Sequence, residues 1–135
     1  EAAGVAIEIL GETPAGLALA ADRQAVERIL ANLVGNALDA VPRGGHVWLS
    51  CGVAEPASIA FTVTDDGPGF PPGAAARVFE RFYRGDPSRS GPGLGLGLAI
   101  VRELAVVHGG SAHAENVAPH GARVGVILPT VPRPA

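Results

Sequence analysis

Residues 91–101 read Gly-Pro-Gly-Leu-Gly-Leu-Gly-Leu-Ala-Ile-Val, and this is the most informative stretch of the chain. Leu98, Val101, Leu104 and Ala105 lie at helical spacing, which predicts a helix from about 96 to 108 directly after the glycines. A helix N-terminus presents unpaired N–H groups and the positive end of a dipole, and glycines before it let the backbone approach an anion. The stretch therefore predicts a phosphate-binding loop, although by itself it fits a flexible glycine-rich hinge equally well.

The composition narrows the class of protein. The chain contains no lysine, so the loop is not of the Gly-Lys-Ser/Thr type, and phosphate charge would have to meet backbone N–H groups, arginine or a metal ion. With 135 residues, a net charge of −3 and 47 % apolar residues, the sequence predicts one domain with an aliphatic core and gives no electrostatic reason to expect nucleic-acid binding. The single cysteine, Cys51, excludes an intrachain disulfide and a cysteine-based zinc site. Since no apolar run approaches membrane-spanning length, we expect a cytoplasmic domain.

Turn-forming residues divide the chain into strands and helices. Strands are predicted near 5–10, 17–20, 46–53, 57–64, 111–116 and 122–128. Helices are predicted from the N-cap Asp22 to about Ala40, near 73–79 and over 96–108. Because helices alternate with mostly hairpin-joined strands, we expect an α/β sandwich in which about three helices cover one face of a mixed sheet of about five strands. Residues 1–130 would form the domain, and the proline-containing residues 131–135 a frayed tail.

Two polar motifs lie in these elements. Asn32 and Asn36 are four residues apart on the first helix and therefore share a face, which fits either a solvated polar stripe or a site for Mg²⁺. Asp65 ends a strand and is followed by Asp-Gly-Pro-Gly at 66–69. This pattern fits either an ordinary strand exit or a buried carboxylate that accepts a hydrogen bond from the amino group of a base.

The order of the motifs is more specific than any one of them. Asn-x-x-x-Asn-Ala on a helix, Asp-x-Gly-x-Gly after a strand, Phe-Glu-x-Phe-Tyr-Arg at 79–84 and then the glycine run follow one another along the chain. This order resembles the catalytic ATP-binding domain of bacterial sensor histidine kinases over about residues 5–130. That family belongs to the GHKL superfamily of ATP-binding proteins, with gyrase, MutL-type repair ATPases and heat-shock chaperones. The resemblance implies a Bergerat-type fold, with ATP and Mg²⁺ as cofactors.

The resemblance also implies roles for individual residues. Asn36 resembles the Mg²⁺ ligand, with Asn32 beside the phosphates, and Asp65 resembles the carboxylate that binds the adenine amino group. Catalytic roles fall on Asn32 and on Arg84, which resembles a γ-phosphate contact. The residues implied in nucleotide binding are Asn32, Asn36, Asp39, Asp65, Gly67, Gly69, Phe70, Tyr83, Arg84, Gly93, Leu94, Gly95, Leu96, Gly97 and Leu98.

The resemblance also includes a lid segment, here residues 85–95. The aromatic residues Phe79, Phe82 and Tyr83 resemble the box that anchors this lid. We expect the lid to become ordered when nucleotide binds.

Three departures from the family are small or apolar residues at positions where its members carry larger or polar ones. Ala40 provides no ring to cover the adenine, and Leu94 stands where Thr or Ser is common in the glycine loop. Ala122 stands where Ser or Thr commonly helps to bind adenine. We therefore expect weaker nucleotide binding than in relatives with an aromatic cover.

The resemblance implies a kinase whose phosphoacceptor lies elsewhere. None of the histidines begins the His-Glu-x-x-x-Pro-like motif of the family's acceptor; they are His46, His108, His113 and His120. We expect the domain to bind ATP-Mg²⁺ and to donate the γ-phosphoryl group to a His on a separate dimerisation domain of a homodimeric parent kinase, for transfer to an Asp of a response regulator. Alone, the chain should be a monomer and inactive, and the sequence leaves open whether the parent is anchored in a membrane.

Three alternatives remain at this point. One is an ATP hydrolase of the gyrase or chaperone type, and another is an anti-sigma serine kinase. Both tend to carry Glu, a general base, at the position of Asn32. Because an amide accepts no proton near neutral pH, Asn32 disfavours the activation of water. The third is a degenerate domain that regulates through protein contact.

Overall fold

The computed structural model describes residues 6–10, 18–19, 22–54, 57–80 and 97–131, and gives only the backbone for 6–10, 18–19 and 131. The strands are β1 (Ala6–Leu10), β2 (Ala18–Leu19), β3 (His46–Ala54), β4 (Ser58–Asp65), β5 (Ser111–Asn116) and β6 (Ala122–Val131). The helices in these segments are α1 (Arg23–Ala40) and α2 (Gly97–Val107).

The strands form one mixed sheet. Its order is β1-β3-β4-β6-β2, and β5 is also paired to β6. β1 is parallel to β3, and the other pairs are antiparallel. The register places Asp65, the last residue of β4, between Val47 of β3 and Ala122 of β6. The end of β4 is therefore flanked by a strand on each side.

The core lies between the helices and one face of the sheet. Because side chains alternate along a strand, β3 and β4 present their odd-numbered residues to this face and their partner β6 presents its even-numbered ones. Burial of each aliphatic side chain contributes about 1.5–3 kcal/mol. The largest side chains that are fully buried are Ile29, Leu33, Val47, Val101, Val126 and Leu128. The predicted α/β sandwich, with a mixed sheet covered by helices on one face, is confirmed.

The start of α1 lacks a side-chain cap, whereas the end of α2 is capped by backbone hydrogen bonds. Asp22 occupies the N-cap position of α1 as predicted, but its side chain makes no capping hydrogen bond. At the end of α2, the N–H of Gly109 donates to the carbonyl of Val106 at 3.0 Å and that of Gly110 to Ala105 at 2.7 Å. With Gly109 at φ 83, this pattern is a Schellman motif, which satisfies the last carbonyls and directs the chain into β5. Neither helix in the described part of the chain is long and apolar enough to cross a membrane.

The short helix predicted near 73–79 is replaced by successive turns. The N–H groups of Ala74, Arg77 and Glu80 each donate to the carbonyl three residues earlier. Gly73 has φ 78, a left-handed conformation that an α-helix cannot include. The prolines at 71 and 72 also lack donors, so too few residues remain before 80 to propagate a helix.

Strand β6 continues through Pro129, where the sequence predicts its end. N–H groups alternate in direction along a strand, and the N–H of Thr130 points toward β4, where it donates to the carbonyl of Ala57 at 2.9 Å. The missing N–H of Pro129 therefore falls on the other side of β6. There the pairing with β5 ends at Ile127 and the pairing with β2 begins at Thr130, so the proline interrupts no ladder. Residues 132–135 of the predicted tail lie outside the described part of the chain.

Candidate functional site

Helix α1 connects the start of α2 with the end of β4. The side-chain Nδ2 of Asn32 donates a hydrogen bond to the carbonyl of Gly97, the first residue of α2, at 3.4 Å. Two turns later, the carbonyl of Ala40 lies 2.7 Å from the position that a Cβ on Gly67 would take. Eight helical residues at about 1.5 Å each span about 12 Å, with Asn36 midway. One rigid element thus joins the predicted phosphate loop to the predicted base pocket.

Asp65 is the buried acid of this region, with 2 % of its surface exposed. Its Oδ1 accepts the N–H of Gly67 at 2.9 Å and the N–H of Ala122 at 3.3 Å. Both bonds fall on the same oxygen, so Oδ2 is the oxygen that could accept a hydrogen bond from a ligand. Burial raises the pKa of Asp65, the two backbone hydrogen bonds lower it in part, and the neighbouring carboxylate of Asp66 raises it further. The net pKa is above the ordinary value for an aspartate.

The loop that follows β4, residues 66–70, is called the β4 loop below. Its first residue, Asp66, accepts the N–H of His46 on Oδ1 at 2.8 Å, and its own N–H donates to the carbonyl of His46 at 3.2 Å. Gly69 has φ 81, and a Cβ there would lie 2.8 Å from Oδ1 of Asn116 and 2.9 Å from the carbonyl of Gly121. The loop therefore accepts only glycine at this position without moving.

Two supports of the β4 loop were not identified from the sequence. In the sequence, Asp66 has only the pattern of a turn residue, and Asn116 has no pattern that marks it as a partner of this loop. Asn116 accepts the N–H of Phe70 on Oδ1 at 2.7 Å and donates from Nδ2 to the carbonyl of Phe70 at 2.9 Å. The only local signal for Asn116 is an Asn before a predicted turn, which is common, and its partner is 46 residues away.

The other predicted site residues are distributed as follows. Phe70 is half-buried and its ring packs against the core, Leu98 is buried at the start of α2, and Asp39 has an exposed side chain on α1. Phe79 is buried in the core cluster. The predicted residues that lie outside the described part of the chain are Phe82, Tyr83, Arg84, Gly93, Leu94, Gly95 and Leu96, together with the lid at 85–95.

Comparison with known proteins identifies the family. The model of a family described as "Histidine kinase-, DNA gyrase B-, and HSP90-like ATPase" matches residues 21–132. The chain belongs to this ATPase family. Within it, the relatives below place the chain with the catalytic ATP-binding domains of bacterial sensor histidine kinases.

Similar members of the ATPase family are known in sequence and in structure. The signal transduction histidine-protein kinase/phosphatase MprB of Mycobacterium leprae is 41 % identical over 117 residues, which cover 84 % of this chain and 22 % of that protein. A solved structure of the mycobacterial sensor histidine kinase MprB has a TM-score of 0.83 and 34 % identity, covering 96 % of this chain and 86 % of that one. Full-length ShkA in complex with AMPPNP has a TM-score of 0.82 and 33 % identity, covering 98 % and 27 %. The chain thus spans less than a quarter of the length of the first of these relatives.

One face of helix α1 carries an amide oxygen, a type of donor that Mg²⁺ accepts. Mg²⁺ in ATPase sites takes one or two protein oxygens together with substrate phosphates and water. Asn36 is half-buried on the same face as Asn32, one helical turn from the contact with Gly97, and its amide supplies a hard oxygen donor. A Cβ on the neighbouring Gly35 would meet nothing within 4 Å, so there is space beside this donor. The donor set is therefore compatible with one protein ligand to Mg²⁺.

Proposed function

We propose that this domain binds ATP with Mg²⁺ and supplies the γ-phosphoryl group to a histidine on a separate dimerisation domain, from which it passes to an aspartate of a response regulator. The observation that carries the proposal is helix α1, which contacts the start of α2 through Asn32 and approaches Gly67 through the carbonyl of Ala40. A nucleotide lying along this helix would have its base at Asp65 and its phosphates near Gly97. The similarity to a histidine kinase solved with AMPPNP supports the nucleotide-binding part of the proposal.

At the base end, Asp65 is proposed to recognise adenine. Because Oδ1 already accepts two backbone N–H groups, Oδ2 would accept the hydrogen bond from the exocyclic amino group. Guanine carries a carbonyl oxygen at the corresponding position, which would face this acceptor and leave a buried polar group unpaired. The domain should therefore prefer ATP to GTP.

At the phosphate end, Asn36 is proposed as the ligand of Mg²⁺. The ion, when bound, neutralises charge on the phosphates and so favours phosphoryl transfer. Asn32 donates its amide N–H to the carbonyl of Gly97 and is proposed to hold the start of α2 beside the phosphates. Since an amide is no general base near neutral pH, Asn32 would not activate water, and the phosphoryl group would be retained for transfer rather than lost to hydrolysis.

The phosphoacceptor is proposed to lie on another domain. His46 begins β3, His113 lies within β5, and His120 lies in the turn before β6. His108 follows the end of α2, where its Nδ1 is 2.7 Å from the carbonyl of Leu104. None of them stands in the His-Glu-x-x-x-Pro-like sequence that marks an acceptor in the family that the chain resembles.

Two measurements on the 135-residue chain test the proposal. Calorimetry with ATP-Mg²⁺ should detect binding to one site. Radiolabel from γ-labelled ATP should then reach the isolated dimerisation domain of the parent kinase, added in trans, and should not appear on the chain itself or on a dimerisation domain whose acceptor His is replaced by Gln. Multiple-turnover ATP hydrolysis by the chain alone would favour the hydrolase alternative, and absence of nucleotide binding would favour the regulatory one.

A further inference from the structure

The side chain of Asn116 holds one residue of the β4 loop at both of its backbone polar groups. Oδ1 accepts the N–H of Phe70 at 2.7 Å, and Nδ2 donates to the carbonyl of Phe70 at 2.9 Å. The pair of bonds has the pattern by which one strand residue pairs with another, although here a side chain takes the place of a strand. Phe70 is thereby fixed twice, since its ring also packs against the core.

The same side of the loop is supported at two further points by the β5–β6 turn, residues 117–121. The ring Nδ1 of His120 lies 3.1 Å from the carbonyl of Gly67. The carbonyl of Gly121 lies 2.9 Å from the position of a Cβ on Gly69. The turn itself is closed by the N–H of Val117, which donates to the carbonyl of Gly121 at 3.1 Å. The turn therefore approaches the β4 loop at Gly67 and Gly69, and Asn116, the last residue of β5, adds two hydrogen bonds to Phe70 that are shorter than the 3.1 Å contact of His120.

We propose that Asn116 is a positioning residue that sets nucleotide affinity by holding the β4 loop in the conformation that receives the base. The inference rests on the proposed function, in which Asp65 and the glycines of this loop form the base pocket. A loop that is already in its binding conformation loses less conformational freedom when the ligand binds, and that saving appears as affinity. The effect should be confined to the base end, because both hydrogen bonds that the structure gives to the Asn116 side chain go to Phe70, and its Oδ1 also approaches Gly69.

The chemistry of the side chain explains why an amide stands at this position. An asparagine can donate and accept at the same time, whereas an aspartate can only accept and an alanine can do neither. Asn116→Asp keeps the bond from the N–H of Phe70 but opposes a carboxylate oxygen to the carbonyl of Phe70. Asn116→Ala removes both bonds. Asn116→Asp therefore keeps one bond and makes the other contact repulsive, whereas Asn116→Ala loses both bonds without repulsion, so both variants should loosen the loop.

Calorimetry on the full chain tests the proposal with ATP-Mg²⁺ and ADP-Mg²⁺ as probes. We expect Asn116→Ala to raise the Kd of both nucleotides by the same factor, about tenfold, since two exposed hydrogen bonds are lost. Asn116→Asp should also raise both Kd values, because its carboxylate cannot donate to the carbonyl of Phe70. The matched control is Glu115→Ala, whose side chain lies on the opposite face of β5 and pairs with Arg123 at 2.8 Å, and it should leave both Kd values unchanged. In hydrogen exchange, the amide of Phe70 should exchange faster in Asn116→Ala than in the control.

Each outcome supports or overturns the inference. Unchanged Kd values in Asn116→Ala overturn it, and so does a Kd that rises for ATP while that for ADP stays the same, because the effect would then lie at the γ-phosphate. A loss of cooperative thermal unfolding in Asn116→Ala transfers the test to Asn116→Asp, where the same equal rise for ATP and ADP is required. If the wild type binds neither nucleotide, the proposed function fails, and the exchange of the Phe70 amide still shows whether Asn116 holds the loop.

Discussion

Replacing Asp65 with asparagine should remove most of the nucleotide affinity. Oδ1 of Asp65 accepts two backbone N–H groups, at 2.9 and 3.3 Å. In the variant the amide oxygen must take this place, because an NH₂ group there would face two donors. The NH₂ group then occupies the position of Oδ2 and faces the adenine amino group, donor against donor. A hydrogen bond to a charged acceptor contributes about 1.5–3 kcal/mol and an unpaired buried donor adds a penalty, so ATP binding should weaken about 100-fold.

The same substitution should leave the fold intact. As the pH rises to neutral, the variant should gain stability relative to the wild type. Burial raises the pKa of Asp65, so the folded state holds the carboxylate at a free-energy cost relative to the unfolded chain. Below the ordinary value of 3.8 the group is protonated in both states and this cost is absent. As the pH rises from there through the raised native pKa, the wild type should lose stability relative to Asp65→Asn, and the difference should then stay constant. Urea denaturation at a series of pH values measures this difference.

Isothermal titration calorimetry with ATP-Mg²⁺ and GTP-Mg²⁺ measures the binding arm. Glu27→Gln is the matched control, because it also converts a carboxylate to an amide, but at an exposed position on α1 where it pairs with Arg23 at 3.3 Å. The control should bind ATP as the wild type does. The reasoning is refuted if Asp65→Asn binds ATP within about threefold of the wild type, which is below 1 kcal/mol, or if the wild type binds ATP and GTP equally.

Three other substitutions have defined expectations. Asn36→Ala should abolish phosphotransfer in trans and flatten the dependence of ATP affinity on Mg²⁺ concentration, as measured by radiolabel transfer and by calorimetry with and without the metal. Gly67→Ala should weaken ATP binding at least about tenfold, because a Cβ would lie 2.7 Å from the carbonyl of Ala40 and displace the β4 loop, whereas Gly52→Ala, where a Cβ meets nothing within 4 Å, should bind normally. Leu33→Ala, at a site that is 1 % exposed, should lower the free energy of unfolding by about 2–5 kcal/mol in urea denaturation, and a smaller loss would contradict the packing described for α1.

Local patterns predict most of the elements because their cause is local. The apolar spacing from 26 to 38 and the turn at 42–45 place helix α1, and strands β3, β4 and β5 fall within about one residue of their predicted bounds. The two differences have causes that local patterns miss. Gly73 adopts a left-handed conformation that stops a helix, and Pro129 is accommodated in β6 because its missing N–H falls between two partner strands.

The candidate site divides in the same way. Local sequence shows which groups are available and in what order: two asparagines one helical turn apart, an aspartate at a strand end before glycines, and a glycine run opening a helix. The folded arrangement is needed to show that both backbone donors bind one oxygen of Asp65, that the carbonyl of Ala40 approaches Gly67, and that Asn116 bonds to Phe70. The difference follows from the separation along the chain over which each interaction acts. Helical spacing and turn chemistry act over a few residues, whereas Asn116 and Phe70 are 46 residues apart and Asp65 and Ala122 are 57 apart. Contacts at that separation depend on the register of β4 against β6 and on the packing of α1, which no short stretch of sequence contains.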